Sequence, residues 1–159
     1  MSESPVAHFY RPETFMADES VGYLMKQAML SFSQQMDKRL APHDLTTAQW
    51  GPLMRLQKFG DMTMAELSRC LSIDAGALTR TFDRLEKKGL VRRERSQEDR
   101  RVVLVGLTDE GRDALKHVPG ELCQVLNEHL AGFTEEEWLT LKSLLRRINA
   151  NGERLRDGD

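Results

Sequence analysis

Between Arg80 and Arg101 the chain holds nine Lys/Arg against five Asp/Glu, a surplus of four, although the whole sequence carries a net −2. The rest of the chain therefore carries −6. Positive charge gathered on one short segment is what contact with a phosphate backbone requires, and its distribution matters more than the total. Within the segment, Arg80, Arg84 and Lys87 recur at helical spacing, with Thr79 beside them and Gly76 one turn earlier. An arginine on a helix laid in a major groove can read guanine O6 and N7, and a threonine can reach base edges or phosphate. Arg84 and Lys87, nearer the helix end, suit phosphate contacts, which position a protein without specifying sequence. Gly76 would let the backbone come close to a nucleic acid. Further on, Asp99-Arg100-Arg101 places a carboxylate next to two guanidinium groups, one of which it could hold in a fixed direction for entry into a narrow minor groove.

These residues need a helix and a hairpin to present them, and the sequence predicts both. Leu78, Phe82 and Leu85 share one face of a helix over residues 75–88, opposite Gly76, Arg80, Asp83, Arg84 and Lys87. Asp74 is a suitable N-cap and Gly89 a suitable terminator. A shorter helix precedes it, with Thr63 and Glu66 as a capping box and Met62 and Leu67 as a hydrophobic staple. Leu90 to Arg95 and Arg101 to Leu107 read as two strands joined by a polar loop. Helix, turn, helix and hairpin together outline a winged helix-turn-helix over residues 46–108.

The flanks have a different pattern. Residues 1–18 form an irregular arm marked by Pro5 and Pro12, although Phe9, Tyr10 and Phe15 are costly to leave in water. A long helix follows from Ser20, with Val21, Leu24, Met25, Ala28, Met29, Phe32, Met36 and Leu40 on one side, and Pro42 ends it. The next helix opens at a Thr46–Gln49 capping box, with Leu45 and Trp50 as its staple. Pro52 inside it predicts a kink or a delayed start. After Thr108, Leu115, Val118, Leu122, Val125, Leu126 and Leu130 line one helix, which Pro119 and Gly120 should bend. A last helix begins at a Thr134–Glu137 box and carries Trp138, Leu141, Leu145 and Ile148. Residues 19–45 and 109–159 thus form a helical region whose apolar stripes exceed what one small domain can cover, and pairing of two copies would bury them. The fold class expected is mainly α with a small β-wing, a winged helix-turn-helix flanked by N- and C-terminal dimerisation helices.

Other functions find little support. The 159 residues leave no room for a second catalytic domain, and no apolar run approaches the roughly 20 residues that cross a bilayer. The N-terminal stretch lacks a signal peptide's basic start and apolar core, so a cytoplasmic protein with free Cys70 and Cys123 is expected. No zinc spacing, phosphate-binding glycine loop or nucleophile motif occurs, so neither a cofactor nor an enzyme is expected. His117, near Asp113 and Glu121, comes nearest to a metal group, and a solvated helix face explains it more simply. A thiol-based redox sensor and a winged helix that binds only protein are the alternatives. The first needs an exposed, low-pKa thiolate, and the basic reading face argues against the second.

Asp99-Arg100-Arg101 followed by Leu107-Thr108 matches the D-x-R…LT signature of the MarR (multiple antibiotic resistance regulator) family. Leu78 to Arg93 looks like that family's recognition helix and first wing strand, and the resemblance extends from about Ser20 to Leu155. It implies an obligate homodimer, built from the N- and C-terminal helices, on a pseudo-palindromic double-stranded DNA operator. Such a dimer often acts as a repressor released by a small phenolic or carboxylate-bearing ligand. Asp99 would hold Arg101 near the minor groove. A ligand pocket between the DNA-binding lobe and the dimer helices would draw on Tyr23, Met25, Trp50 and Met54, with Arg11, His8 or His43 as carboxylate partners. The sequence departs from the family at Pro52 and in its long arm. The reactive cysteine of the family's peroxide sensors lies in the N-terminal region, where this chain has none.

Overall fold

The computed structural model describes residues 7–157, so Pro5 lies outside the described residues. The chain forms two compact units, one ending at Glu121 and the other beginning at Leu122. In the first, Arg11 and Met16 each precede a short 3-10 turn, Pro12–Thr14 and Ala17–Glu19. Phe9 is 89% exposed, so the arm's aromatic residues are not all withdrawn from water. Tyr10 does have a role, because its hydroxyl accepts from the Val21 amide at 2.9 Å at the start of the first helix.

That helix, α1 (Val21–Leu40), is capped by Ser20, whose hydroxyl accepts from Tyr23 N at 3.2 Å. Pro42 ends it in a 3-10 turn, Ala41–His43, and Asp44 reverses the chain at φ 52°. Helix α2 (Thr47–Phe59) opens at the expected box, with Gln49 Oε1 accepting from the Thr46 amide at 3.2 Å. Its start is not delayed by Pro52, which is fully buried inside the helix. A residue before proline is driven out of the helical region chiefly by clash of its Cβ and amide with the proline ring. Gly51 removes the Cβ half of that conflict, and only the bond back to Ala48 is forfeited.

A strand that the periodicity did not reveal comes next. β1 (Met62–Thr63) pairs antiparallel with a later strand, and two residues are too short to show alternation. Helix α3 (Met64–Leu71) begins at once, with Glu66 accepting from Thr63 N at 2.8 Å and Thr63 Oγ1 accepting from Glu66 N at 3.2 Å. The Thr63 amide first, and its hydroxyl second, hold the Glu66 carboxyl below its ordinary pKa. Ser72 turns the chain at φ 51°, and α4 (Ala75–Lys87) starts with Asp74 Oδ1 accepting from Ala77 N at 2.9 Å. Gly89 at φ 71° closes it.

β2 (Val91–Arg95) and β3 (Val103–Leu107) make the hairpin, and the sheet order is β1-β3-β2. Arg93 stands opposite Val105 and Arg95 opposite Val103. Thr108 then serves two elements, donating its hydroxyl to Gly89 O at 2.6 Å and accepting from Gly111 N at 3.0 Å. The following helix is not one bent rod. It breaks into α5 (Asp109–Leu115) and α6 (Val118–His129). Pro119 becomes the second residue of a new helix, where a missing amide proton costs nothing, whereas inside a continuous helix it would orphan the Leu115 carbonyl.

In the second unit, α7 (Glu135–Asp157) opens at the expected Thr134–Glu137 box, with Glu137 Oε2 accepting from Thr134 N at 2.8 Å. Trp138, Leu141 and Ile148 are exposed along it in the single chain. The core of the first unit gathers Leu40, Leu53, Leu56, Leu67, Leu78, Phe82, Leu85 and Val105, all nearly or completely buried. Phe82 has no exposed surface and fastens α4 to this core. Phe82→Ala should cost about 3–5 kcal/mol, a large share of a small domain's stability, and a fall in the urea midpoint without a change in slope would register it.

Candidate nucleic-acid interface

Helix α4 divides as its spacing requires. Leu78, Phe82 and Leu85 are buried, while Gly76, Thr79, Arg80, Arg84 and Lys87 are exposed. Details refine several expected roles. A Cβ at Gly76 would lie 3.2 Å from Asp74 Oδ1 and 3.6 Å from Arg80 Nη1, so the glycine leaves room for the cap, while Arg80 folded back along the helix would meet such a Cβ only in ordinary contact. Thr79 donates its hydroxyl to Ala75 O at 2.8 Å, which leaves it a lone pair and a methyl group to offer outward.

Eight of the nine cations sort into two kinds, and the ninth, Arg95, donates to Arg100 O at 3.5 Å. Lys88 pairs with Asp44 at 2.9 Å, Arg92 with Asp61 and Glu94 at 2.8 Å each, and Arg93 with Asp83 at 2.7 Å and Glu86 at 3.1 Å. Those three are spent inside the protein. Arg80, Arg84, Lys87, Arg100 and Arg101 have no ion pair with another described residue. Asp83, placed by the helical wheel on the reading face, is half-buried against the hairpin instead. Tertiary pairing of this kind leaves no mark in spacing along the chain, although the alternation of Arg92 and Arg93 on a strand did imply that they face opposite ways.

At the wing tip, Asp99 does not hold a guanidinium. Its Oδ1 accepts from the Arg101 backbone amide at 2.9 Å, while Val102 N donates to Asp99 O at 2.9 Å and Ser96 N to Val102 O at 2.9 Å. Ser96 Oγ accepts from Glu98 N at 3.2 Å. The carboxylate therefore shapes the turn and so aims the side chains of Arg100 and Arg101, both exposed, without neutralising either.

The family model described as MarR family matches residues 43–102. The multiple antibiotic resistance protein MarR of Salmonella typhimurium is 37% identical over 114 residues, which are 71% of this chain and 79% of that protein. This chain belongs to the MarR family. It is a MarR-family transcriptional regulator, not an enzyme. Among solved structures, a mutant MarR from E. coli complexed with operator DNA superposes with a TM-score of 0.75 at 33% identity, covering 80% of this chain and 92% of that one. BpsR of Bordetella bronchiseptica, whose DNA binding is regulated by 6-hydroxynicotinic acid, shares the fold at 24% identity with a TM-score of 0.78, covering 85% and 96%.

The residues expected at a ligand pocket are less gathered. Arg11, His8 and Tyr23 are exposed, and the Tyr23 hydroxyl accepts from Gln27 at 2.7 Å. His43 stacks on His117 with centroids 4.8 Å apart and lies 3.9 Å from the Glu121 carboxylate. Met25, Trp50 and Met54 are half-buried. The Trp50 indole nitrogen is buried and has no protein acceptor among the described residues. No hydrogen bond or ion pair between described residues joins Arg11, Tyr23, His43 and Trp50 to one another. Asp113 is occupied by Lys116 at 2.6 Å, which holds its carboxyl below the usual pKa, and no described group of His, Cys, Asp and Glu has metal-binding geometry. Cys70 and Cys123 are both exposed and free. No described helix is long and apolar enough to cross a membrane.

The tip geometry has a direct consequence. Asp99→Asn keeps an acceptor for the Arg101 amide and should leave that proton's exchange with solvent little changed, whereas Asp99→Ala should speed it. Amide hydrogen exchange at Arg101 distinguishes the two.

Proposed function

We propose that this MarR-family regulator is a sequence-specific repressor that binds a pseudo-palindromic DNA operator as a homodimer and is released by a small aromatic or phenolic carboxylate. The observation that carries the DNA reading is the sorting of cations on α4 and the wing. Arg80, Arg84 and Lys87, on a helix fixed to the core by its opposite face, and Arg100 and Arg101 at the wing tip are exposed and without an ion pair among described residues. Thr79 and Arg80 read bases in the major groove, Arg84 and Lys87 meet phosphates, and Arg100 and Arg101 reach an adjacent minor groove with Asp99 shaping their turn. Gly76 lets the helix start approach closely. Such a regulator acts where the chromosome is, in the cytoplasm.

The dimer reading rests on apolar residues left in water by the single chain. Val21, Leu24, Met29 and Leu30 on α1, and Trp138, Leu139, Leu144 and Ile148 on α7, are exposed. Residues 19–45 and 109–159 supply the partner surface, residues 46–108 the reader, and two-fold symmetry sets the two recognition helices about one helical turn of DNA apart.

Using a duplex selected by the protein from a random-sequence library, Arg80→Ala should cost about 1–3 kcal/mol and relax preference at one base position. Arg101→Ala should weaken all sequences alike and lower the salt slope of binding by about one. Binding independent of salt would contradict the reading. For the effector, the buried Trp50 indole N–H is a donor that a carboxylate or phenol oxygen would satisfy. Hydroxylated benzoic acids at about 100 times their Kd should stabilise the protein by roughly 2.7 kcal/mol. A thermal-shift series should show the gain, and Trp50→Phe should reduce it without lowering the melting temperature of the ligand-free protein.

A further inference from the structure

Arg93 is held by the helix expected to read DNA. Its Nη2 lies 2.7 Å from Asp83 Oδ1 and its Nη1 3.1 Å from Glu86 Oε2, so each side of the planar fork grips a separate carboxylate. Asp83 and Glu86 stand three residues apart on α4 and therefore lie on one side of it. On the opposite face of β2, Arg92 reaches Asp61 and Glu94 at 2.8 Å and donates to Leu107 O at 2.7 Å. A Cβ at Gly106 would collide with Asp61 and Arg92, so only glycine in β3 lets that pair lie across the sheet. β2 is thus fastened to α4 on one face and to the residue before β1 on the other. The wing tip, with Arg100 and Arg101, hangs from the far end of the same strand.

Building on the DNA-binding reading of this site, we propose that Asp83, Arg93 and Glu86 form a clamp that fixes the wing's bearing relative to the recognition helix. Arg93 is a positioning residue, not a phosphate ligand. Turning its guanidinium to a phosphate would break both pairs and leave two carboxylates on a helix that faces polyanionic DNA. With the clamp closed, groove contacts by α4 and by the wing occur in one rigid arrangement. With it open, the wing must be ordered at the moment of binding, and its contacts contribute less.

The test uses the intact chain, fluorescence anisotropy with the selected duplex, and salt between about 50 and 200 mM. Asp83→Asn is nearly isosteric and removes a negative charge beside DNA. Electrostatics alone predicts tighter binding, whereas the clamp predicts binding weaker by roughly tenfold. Arg93→Ala should weaken binding similarly with an unchanged salt slope, and Arg93→Lys, which keeps the charge and loses the fork, should restore little. Arg101→Ala should cost less in the Arg93→Ala background than in the intact protein. Tighter binding by Asp83→Asn, a salt slope lowered by about one in Arg93→Ala, or equal costs of Arg101→Ala in both backgrounds would each overturn the clamp while leaving the DNA reading intact. Should Arg93→Ala fail to fold by circular dichroism, Asp83→Asn and Arg93→Lys decide. Failure of the intact protein to enrich any duplex would remove both readings together.

Discussion

A cation that is to meet a phosphate must reach it without a carboxylate of its own. That constraint organises the first unit. Asp44, Asp61, Asp83, Glu86 and Glu94 each take up a lysine or arginine of the basic stretch, and the cations they take are those rooted at the α4 terminus and in the stem of the hairpin. Cations along the outer face of α4 and at the wing tip are spared. Pairs of this sort, partly screened by solvent, contribute modestly to stability. Their larger effect is geometric, because a guanidinium shared by two elements fixes the angle between them.

The sheet completes that arrangement. β3 lies in the middle, hydrogen-bonded to β1 on one side and β2 on the other, so the residues that open α3 and those that carry the wing share a strand. Met62 and Thr63 do two tasks, pairing with Val105 and Leu104 and then capping α3 through the Thr63–Glu66 box. Thr108 likewise joins the end of α4 to the start of α5 through one hydroxyl. Two threonines therefore tie helix ends to neighbouring structure with bonds that also satisfy helix-terminal groups.

How far this could be read from the sequence follows from the range of each signal. Helix starts were legible because capping boxes are local, and those at Thr46, Thr63 and Thr134 stand where they were expected. The buried trio Leu78, Phe82 and Leu85 was legible from the 3.6-residue period. β1 was not, since two residues carry no period and their pairing partner lies some forty residues away. Pro119 marks a break in the sequence, but whether a proline bends one helix or begins another depends on what the preceding carbonyls can bond to. The aspartate at the wing meets the Arg101 amide and not its guanidinium. Spacing places Asp99 near Arg101 without saying whether the amide or the guanidinium is in reach, and a tight turn favours the amide. Spacing along the chain leaves Arg93 and Asp83 as exposed charges, because the contact that pairs them crosses from helix to strand. For the ligand candidates, side chains drawn from the arm, α1 and α2 had no shared local signal, and among the described residues only Trp50 has a buried side-chain polar atom without a partner.

The charge balance has a consequence for how the molecule meets its target. A surplus of four positive charges on residues 80–101 and −6 elsewhere makes the chain attractive to DNA on one segment and repulsive on the rest. Internal pairing sharpens this, because Lys88, Arg92 and Arg93 are matched by nearby acids and the unmatched cations concentrate further on the outer face of α4 and the tip. At physiological salt the screening length is about 8 Å, so for DNA seated as proposed on the outer face of α4 the acidic remainder does little and acts mainly on wrongly oriented encounters. A net negative protein can therefore bind DNA without contradiction. Its overall charge discourages nonspecific adhesion through other surfaces, and in the proposed mode of binding the local charge selects the face that meets DNA.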